Sequence, residues 1–175
     1  VIKKGLETSL QDYPGRVGFL NQGFPPSGPM DSWSFRLANL VVGNGAGEAA
    51  LECQFMGPTL KFESDHVISI CGGDMQPKID GIAIPLWESV LIKMGQTLEL
   101  SFSLTGARTY VAFSGGIKCD PWLGSKSTFH KAAVGGIDGS AIQDGQKIQL
   151  NTSFGQVGKK IKKEVIPKMS DNGLW

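Results

Sequence analysis

A mainly β domain, a barrel or sandwich with one helix near the N-terminus, is the fold class this sequence predicts, and three observations carry it. Glycine occurs 24 times in 175 residues, close to twice the roughly 7% usual in proteins, and with 9 prolines it implies many tight turns between short elements. From Ala50 onward, short alternating or apolar runs are separated by Gly, Pro and Asp about every ten residues, a spacing that favours a barrel or sandwich over alternating β-α units. One stretch alone carries a convincing helical period.

Along the chain, "GLETSLQ" (5–11) alternates and predicts an opening strand, followed by a turn at "YPGR". The segment "GFPPSGPMDSWSFRLANLVVGN" (23–44) then joins a stiff Pro/Gly/Ser loop directly to a helix. Asp31 stands at the N-cap position, Trp33, Leu37, Leu40 and Val41 recur at helical spacing, and Gly43-Asn44 is a stop signal. Strands are predicted at "ALECQF", "TLKFES", "HVISIC", "QPKID", "SVLIKM", "TLELSF", "RTYVAFSG" and "KIQL". Within these, "MGQTLEL" (94–100) and "DGQKIQL" (144–150) share a Gly-Gln turn followed by an apolar residue, a polar one and Leu, and are read as equivalent barrel turns, each feeding a half-buried strand. After Leu150 the chain turns Lys-rich and polar. Residues 1–150 are therefore read as the β domain, and 151–175 as a linker or the start of a further subdomain. The abrupt finish at Trp175 predicts a piece of something longer.

Several function classes are disfavoured. A net charge of +1 gives no field to gather nucleic acid or anionic lipid. No apolar run approaches the roughly 20 residues that span a bilayer, and the N-terminal stretch has no signal-peptide pattern. Cys53, Cys71 and Cys119 are odd in number, widely spaced and without a CxxC pair, which suggests a reduced, cytoplasmic compartment and no zinc. His66 and His130 have no partner at ligand spacing, so no metal is expected. "GNGAG" (43–47) closes a helix instead of opening one, and is a cap and turn, not a nucleotide loop. Asn151-Thr152-Ser153 is a sequon without a secretory context, and no G-x-S-x-G elbow marks a nucleophile. Lys93 has Ile92 where a biotin-carrying hairpin would place a first Met, so it reads as a strand-edge lysine. There remain runs of small residues, "SGG" (114–116), "LGSKSTF" (123–129) and "GGIDG" (135–139), around isolated donors such as Ser125, Lys126, Ser127 and Thr128. Such loops let a ligand approach backbone N–H groups, and they serve equally as plain turns.

"GLETSLQDYPGRVGF", "GFPPSGPMDSWSFRLANLVVGN", "ALECQFMGPTLKF", "CGGDM", "FSGGI", "LGSKSTF" and "GGIDG" resemble, in that order, the first part of the allophanate hydrolase subunit 2 family. That family includes the carboxyltransferase part of biotin-dependent urea carboxylase, the KipA proteins and a subunit of bacterial 5-oxoprolinase. The prolines in "QDYPGR" and "PPSGPMD" resemble the urea carboxylase branch. The resemblance implies a cyclophilin-like β-barrel and a transfer of the carboxyl group of carboxybiotin to urea, giving allophanate. Biotin would arrive on a separate carrier domain, with ATP and bicarbonate used elsewhere in the full enzyme. The implied partners are the remaining half of the carboxyltransferase domain and the biotin carboxylase and carrier domains.

The residues that match the family's motifs, and are candidates for contact with urea or carboxybiotin, are Gln11, Asp12 and Arg16, then Pro26, Ser27, Gly28, Pro29, Met30 and Asp31, then Lys126, Ser127 and Thr128. No catalytic base is assigned. "PPSGPMD" is either the stiff floor of a sheltered substrate pocket, with Asp31 doubling as helix cap, or only the cap and connection. Rival functions are a 5-oxoprolinase subunit and a KipA-like protein-binding module.

Overall fold

In a computed structural model that describes residues 1–168, nine strands and a single α-helix form three layers. The strands are β1 (Glu7–Gln11), β2 (Ala50–Gln54), β3 (Thr59–Lys61), β4 (His66–Asp74), β5 (Lys78–Ile79), β6 (Ile82–Ala83), β7 (Ser89–Ile92), β8 (Thr97–Glu99) and β9 (Thr105–Phe113). The helix, α1, spans Ser32–Val41. A five-stranded sheet has the order β1-β2-β9-β4-β7 and a four-stranded sheet the order β3-β8-β5-β6, with every pairing antiparallel.

Side-chain alternation explains the layering. Leu10 lies opposite Leu51, Leu51 opposite Val111 and Val111 opposite Ile70, a fully buried row across the larger sheet. This row belongs to a core shared with Leu60, Ile79 and Leu98 of the smaller sheet. The alternate residues Ala50, Cys71, Tyr110 and Ala112 form the opposite face, which α1 covers with Phe35, Ala38 and Val41. Both faces of the larger sheet are thus buried, which is why β4 and β9 read as near-continuous apolar runs.

Two expectations are corrected here. The strands do not close into a barrel among the described residues: each sheet keeps two edges, and at the larger sheet irregular segments cover them. The Thr128 N–H and hydroxyl both donate to the Leu10 carbonyl and the Ile142 N–H to that of Thr8, sealing β1. At the other edge the Gly158 N–H donates to the Ser89 carbonyl and the Ser89 N–H to that of Lys159. Covering an edge satisfies its backbone groups without a closing strand. Secondly, "KIQL" forms no strand beyond an isolated bridge between Ile117 and Leu150, whereas the short β6 was not expected. The helix α1 buries Ser34, Phe35, Ala38, Asn39 and Val41, while Trp33 and Leu40 stay half exposed. Small residues let the helix sit close to the sheet, where the Ser69 hydroxyl donates to the Ala38 carbonyl at 2.7 Å.

The two Gly-Gln turns do match. In each, the Gln N–H donates to the carbonyl three residues earlier and the Gln side chain accepts from that same residue's N–H, at 2.9 Å for both Lys93 and Gln143. The match extends further than the Gly-Gln pair: the amide groups of Gln96 and Gln146 donate to Asp80 and Asp138, which open the paired stretches "IDGIAI" and "IDGSAI".

Candidate functional site

The first and third sequence motifs meet at the Asp12 carboxylate. One of its oxygens accepts from the Ser125 and Ser127 hydroxyls at 2.6 and 2.5 Å, and the other from the Lys126 N–H at 2.7 Å. The Asp12 N–H in turn donates to the Ser127 hydroxyl. A residue with four such contacts is a fastener between chain segments 113 to 115 residues apart. Asp12 can occupy this place because β1 ends at Gln11 and the turn that follows carries the chain off the sheet edge.

The second motif is tied to the first by backbone contacts. The Arg16 N–H donates to the Pro26 carbonyl at 2.6 Å, and the Gly28 N–H to the side chain of Gln11, whose own amide donates to Ser9. Gly15 and Gly28 have φ of +82° and +84°; a Cβ on Gly15 would run into the Pro26 carbonyl, so only glycine lets these loops touch. Arg16 completes the joint. Fully buried, it donates to the carbonyls of Trp122 and Ser127, and its guanidinium lies 4.6 Å from the centre of the Trp122 ring, which packs edge-on to Phe24. Its Nη1 has no partner among the described residues, and burial lowers its pKa while Asp12 opposes that shift.

Of the predicted residues, Gln11, Arg16, Ser127 and Thr128 are therefore buried and bonded within the molecule, and Asp12 is saturated. Asp31 is a helix cap: it accepts from the N–H groups of Trp33 and Ser34 and from the Ser34 hydroxyl. Solvent reaches Pro26, Ser27, Gly28, Pro29 and Met30, the last 74% exposed, and the head group of Lys126. Ser27 is held in the left-handed region at φ 56°. A cavity of about 480 Å³ lies elsewhere, lined by Leu60, Phe62, Phe113, Lys118, Ile148 and neighbours, and none of the predicted residues lines it. The motifs form a tightly bonded joint with an open rim.

Four residues that matter here were not singled out from the sequence. Glu52 accepts from the Met30 N–H and the Tyr110 hydroxyl and pairs with Arg108, so it anchors the second motif to the sheet. Tyr110 accepts from the Asp31 N–H, and its burial, with Glu52 beside it, pushes its pKa up. The signal for Glu52 was present: in "ALECQ" the alternation that buries Leu51 and Cys53 places Glu52 on the helix-covered face, where a carboxylate demands partners. Trp122 supplies the surface for Arg16. Glu48, in a loop without periodicity, pairs with Lys126 at 3.0 Å.

Among the described residues there is no group of His, Cys, Asp or Glu able to hold a metal, and no helix long and apolar enough to cross a membrane.

Residues 22–175 match the family described as carboxyltransferase domain, subdomain A and B. The chain is 41% identical to the urea amidolyase of Saccharomyces cerevisiae over 98% of its own length and 10% of that protein's. It is 35% identical to a 5-oxoprolinase subunit of Escherichia coli, over 87% of this chain and 49% of that one. The crystal structure of the Kluyveromyces lactis urea carboxylase superposes with a TM-score of 0.90 at 37% identity, over 97% of this chain and 16% of that chain. The chain thus spans a small part of the urea-handling relatives, and it belongs to the carboxyltransferase domain family, subdomains A and B.

Proposed function

We propose that this chain is part of the carboxyltransferase of a biotin-dependent urea carboxylase, in which the carboxyl group of carboxybiotin passes to urea and allophanate forms. The observation that carries this reading is the joining of the three motifs, the first to the third at Asp12 and to the second through Arg16 and Gln11, together with 41% identity with a urea amidolyase. Urea and carboxybiotin are the proposed substrates. The remainder of the carboxyltransferase and the biotin carboxylase and carrier domains are the proposed partners, using ATP and bicarbonate in a cytoplasmic protein. A cyclophilin-like relationship belongs to the same reading, as does a division near residue 150. Residues 151–168 contain no strand longer than a bridge and one short 3-10 helix, Lys163–Val165.

The donor set fits these substrates. Carboxybiotin would supply an activated carboxyl group. This chain's half-open Lys126 ammonium suits an anionic oxygen, and the Ser27 hydroxyl at the rim suits a small neutral amide. Gln11, Asp12, Arg16, Ser127 and Thr128 hold the rim in place, and Ser27 and its neighbours to Asp31 form it. Rigid support of this kind is what orients two reactants.

The test is ATP cleavage by the longer protein in the presence of bicarbonate, with and without urea. Stimulation by urea is expected, and Ser27→Ala should lower the stimulated rate while leaving Tm near the wild-type value. Stimulation by 5-oxoproline alone would establish the rival reading, which the coverage of half of a 5-oxoprolinase subunit keeps in view. A KipA-like binding role draws on exposed Val17, Leu20 and Met30. It would show as complex formation with a barrel partner and no turnover.

A further inference from the structure

We propose that Glu48 is a positioning residue for the transfer site, acting through Lys126, and that the Lys126 ammonium is the group that steadies the carboxyl being passed. The inference rests on the carboxyltransferase reading above and gives that site its charged element.

The geometry is specific. The Lys126 main-chain N–H is fixed to Asp12 at 2.7 Å, and its ammonium lies 3.0 Å from Glu48 Oε1. The same Glu48 oxygen accepts the Ala49 N–H at 3.0 Å, so the carboxylate is itself held. Two glycines crowd this point. A Cβ on Gly116 would lie 2.5 Å from Glu48 Cγ, and one on Gly47 would run into the Tyr13 carbonyl. The "SGG" turn after β9 is therefore packed against this carboxylate and the turn after β1 against the loop that carries it, and the carboxylate's single polar client from another segment among the described residues is Lys126.

The pair is nevertheless open. The Lys126 and Glu48 side chains keep 25% and 33% of their exposure, whereas Gln11, Arg16, Ser127 and Thr128 beside them are buried. An ammonium carries three donors, and Glu48 takes one. Two remain for oxygens of a bound carboxyl or carbamate. Glu48 fixes their direction and offsets the cost of covering the ammonium when a ligand excludes water.

In the transfer the carboxyl carbon loses its bond to the donor nitrogen and gains one to the acceptor amide nitrogen, and the proton of that amide ends on the donor nitrogen. Lys126 keeps its three protons throughout. It contributes orientation and charge, and Glu48 contributes the fixed position of Lys126.

The experiment is a double-mutant cycle in the longer protein with Glu48→Gln, Lys126→Met and both together, measuring urea-dependent turnover and, as a control, urea-independent ATP cleavage. Each single change should lower the urea-dependent kcat about 10-fold or more, with a smaller effect on KM, and the double should be no slower than the slower single. Glu48→Asp should recover part of the rate. Tm should move by no more than about 2 °C, since a half-exposed ion pair adds little stability. Wild-type kcat in Glu48→Gln, or losses that multiply in the double variant, would overturn the inference alone. A wild-type protein without urea-dependent turnover would overturn the carboxyltransferase reading, and this inference with it.

Discussion

At the residue scale, the polar side chains of this protein divide by whether their partners are already inside the molecule. Asp12 and Arg16 were candidate ligand contacts because they stand in a stretch that resembles the family's first motif, and the sequence shows no other role for them. Structure supplies the role: each closes contacts more than a hundred residues away in the chain, and no local pattern encodes those partners. Lys126 differs, because its main chain is committed and its head group is not wholly so. The thiols show the cost of burial directly. Cys53 is fully buried opposite Thr109, and burial pushes its pKa up to about 12, with Glu52 adding in the same direction. A thiol in the unfolded chain titrates near 8.5. Between that pH and about 12 the unfolded state sheds a proton that the folded state keeps, so stability is fully present below about pH 8.5 and falls as pH rises toward 12. Chemical-denaturation midpoints taken from pH 7 to 11 should therefore decline, and the decline should be shallower in Cys53→Ala. The same slope in the variant would assign the alkaline loss to other groups, of which Cys71 and Tyr110, also shifted upward by burial, are the first to examine.

At the scale of elements, what could be read from sequence was whatever depends on near neighbours. The α1 boundaries follow from Asp31 and the Gly43-Asn44 stop, and both appear where expected. The matched Gly-Gln turns were visible because a turn closes on itself within four residues. Their extension to Asp80 and Asp138 was not, because the two intervals differ, 16 residues in one case and 8 in the other. The buried face of α1 was not readable for a related reason. Trp33, Leu37 and Leu40 have the period of a helix, but which stripe is buried depends on the small side chains of the sheet below. Asp31 tests how far the second motif is a cap. Its carboxylate accepts from two N–H groups and a hydroxyl, all within α1. Asp31→Ala should cost about 1 kcal/mol in urea denaturation, within the range of about 0.5–2 kcal/mol for a lost N-cap. Ser27→Ala, four residues earlier and outside the cap, should cost less than about 0.5 kcal/mol. Equal losses at the two positions would mean that the loop and the helix start fold as one unit, and that the rim has no freedom of its own.

At the scale of the whole molecule, the two sheets and the helix set the positions, but the joint at Asp12 depends on backbones that pass within contact distance, and sequence shows such passages only as glycines without a stated reason. The glycine-rich composition correctly announced a β-rich fold, yet it could not separate glycines that merely turn the chain from those that let two segments touch. Gly15 and Gly18 separate the two roles. Both lie in the same loop with positive φ, +82° and +95°, so an alanine at either carries a similar backbone penalty of about 1–2 kcal/mol. They differ in what a Cβ would meet. At Gly18 there is nothing within 4 Å, whereas at Gly15 the Pro26 carbonyl stands in the way, with the Gly28 N–H group 3.2 Å off. Backbone atoms cannot swing aside as a side chain can, so Gly15→Ala must push the first and second motifs apart and break the Arg16-to-Pro26 hydrogen bond. Gly18→Ala should lower stability by about 1 kcal/mol and leave urea-dependent turnover of the longer protein nearly unchanged. Gly15→Ala should cost at least about 2 kcal/mol more. At temperatures where it stays folded, it should also lose turnover out of proportion to that cost, because Ser27 and Gly28 are displaced relative to Lys126. Equal stability and equal turnover for the two variants would show that the loops yield to one another without consequence, and the joint would then be a feature of packing with no bearing on the site.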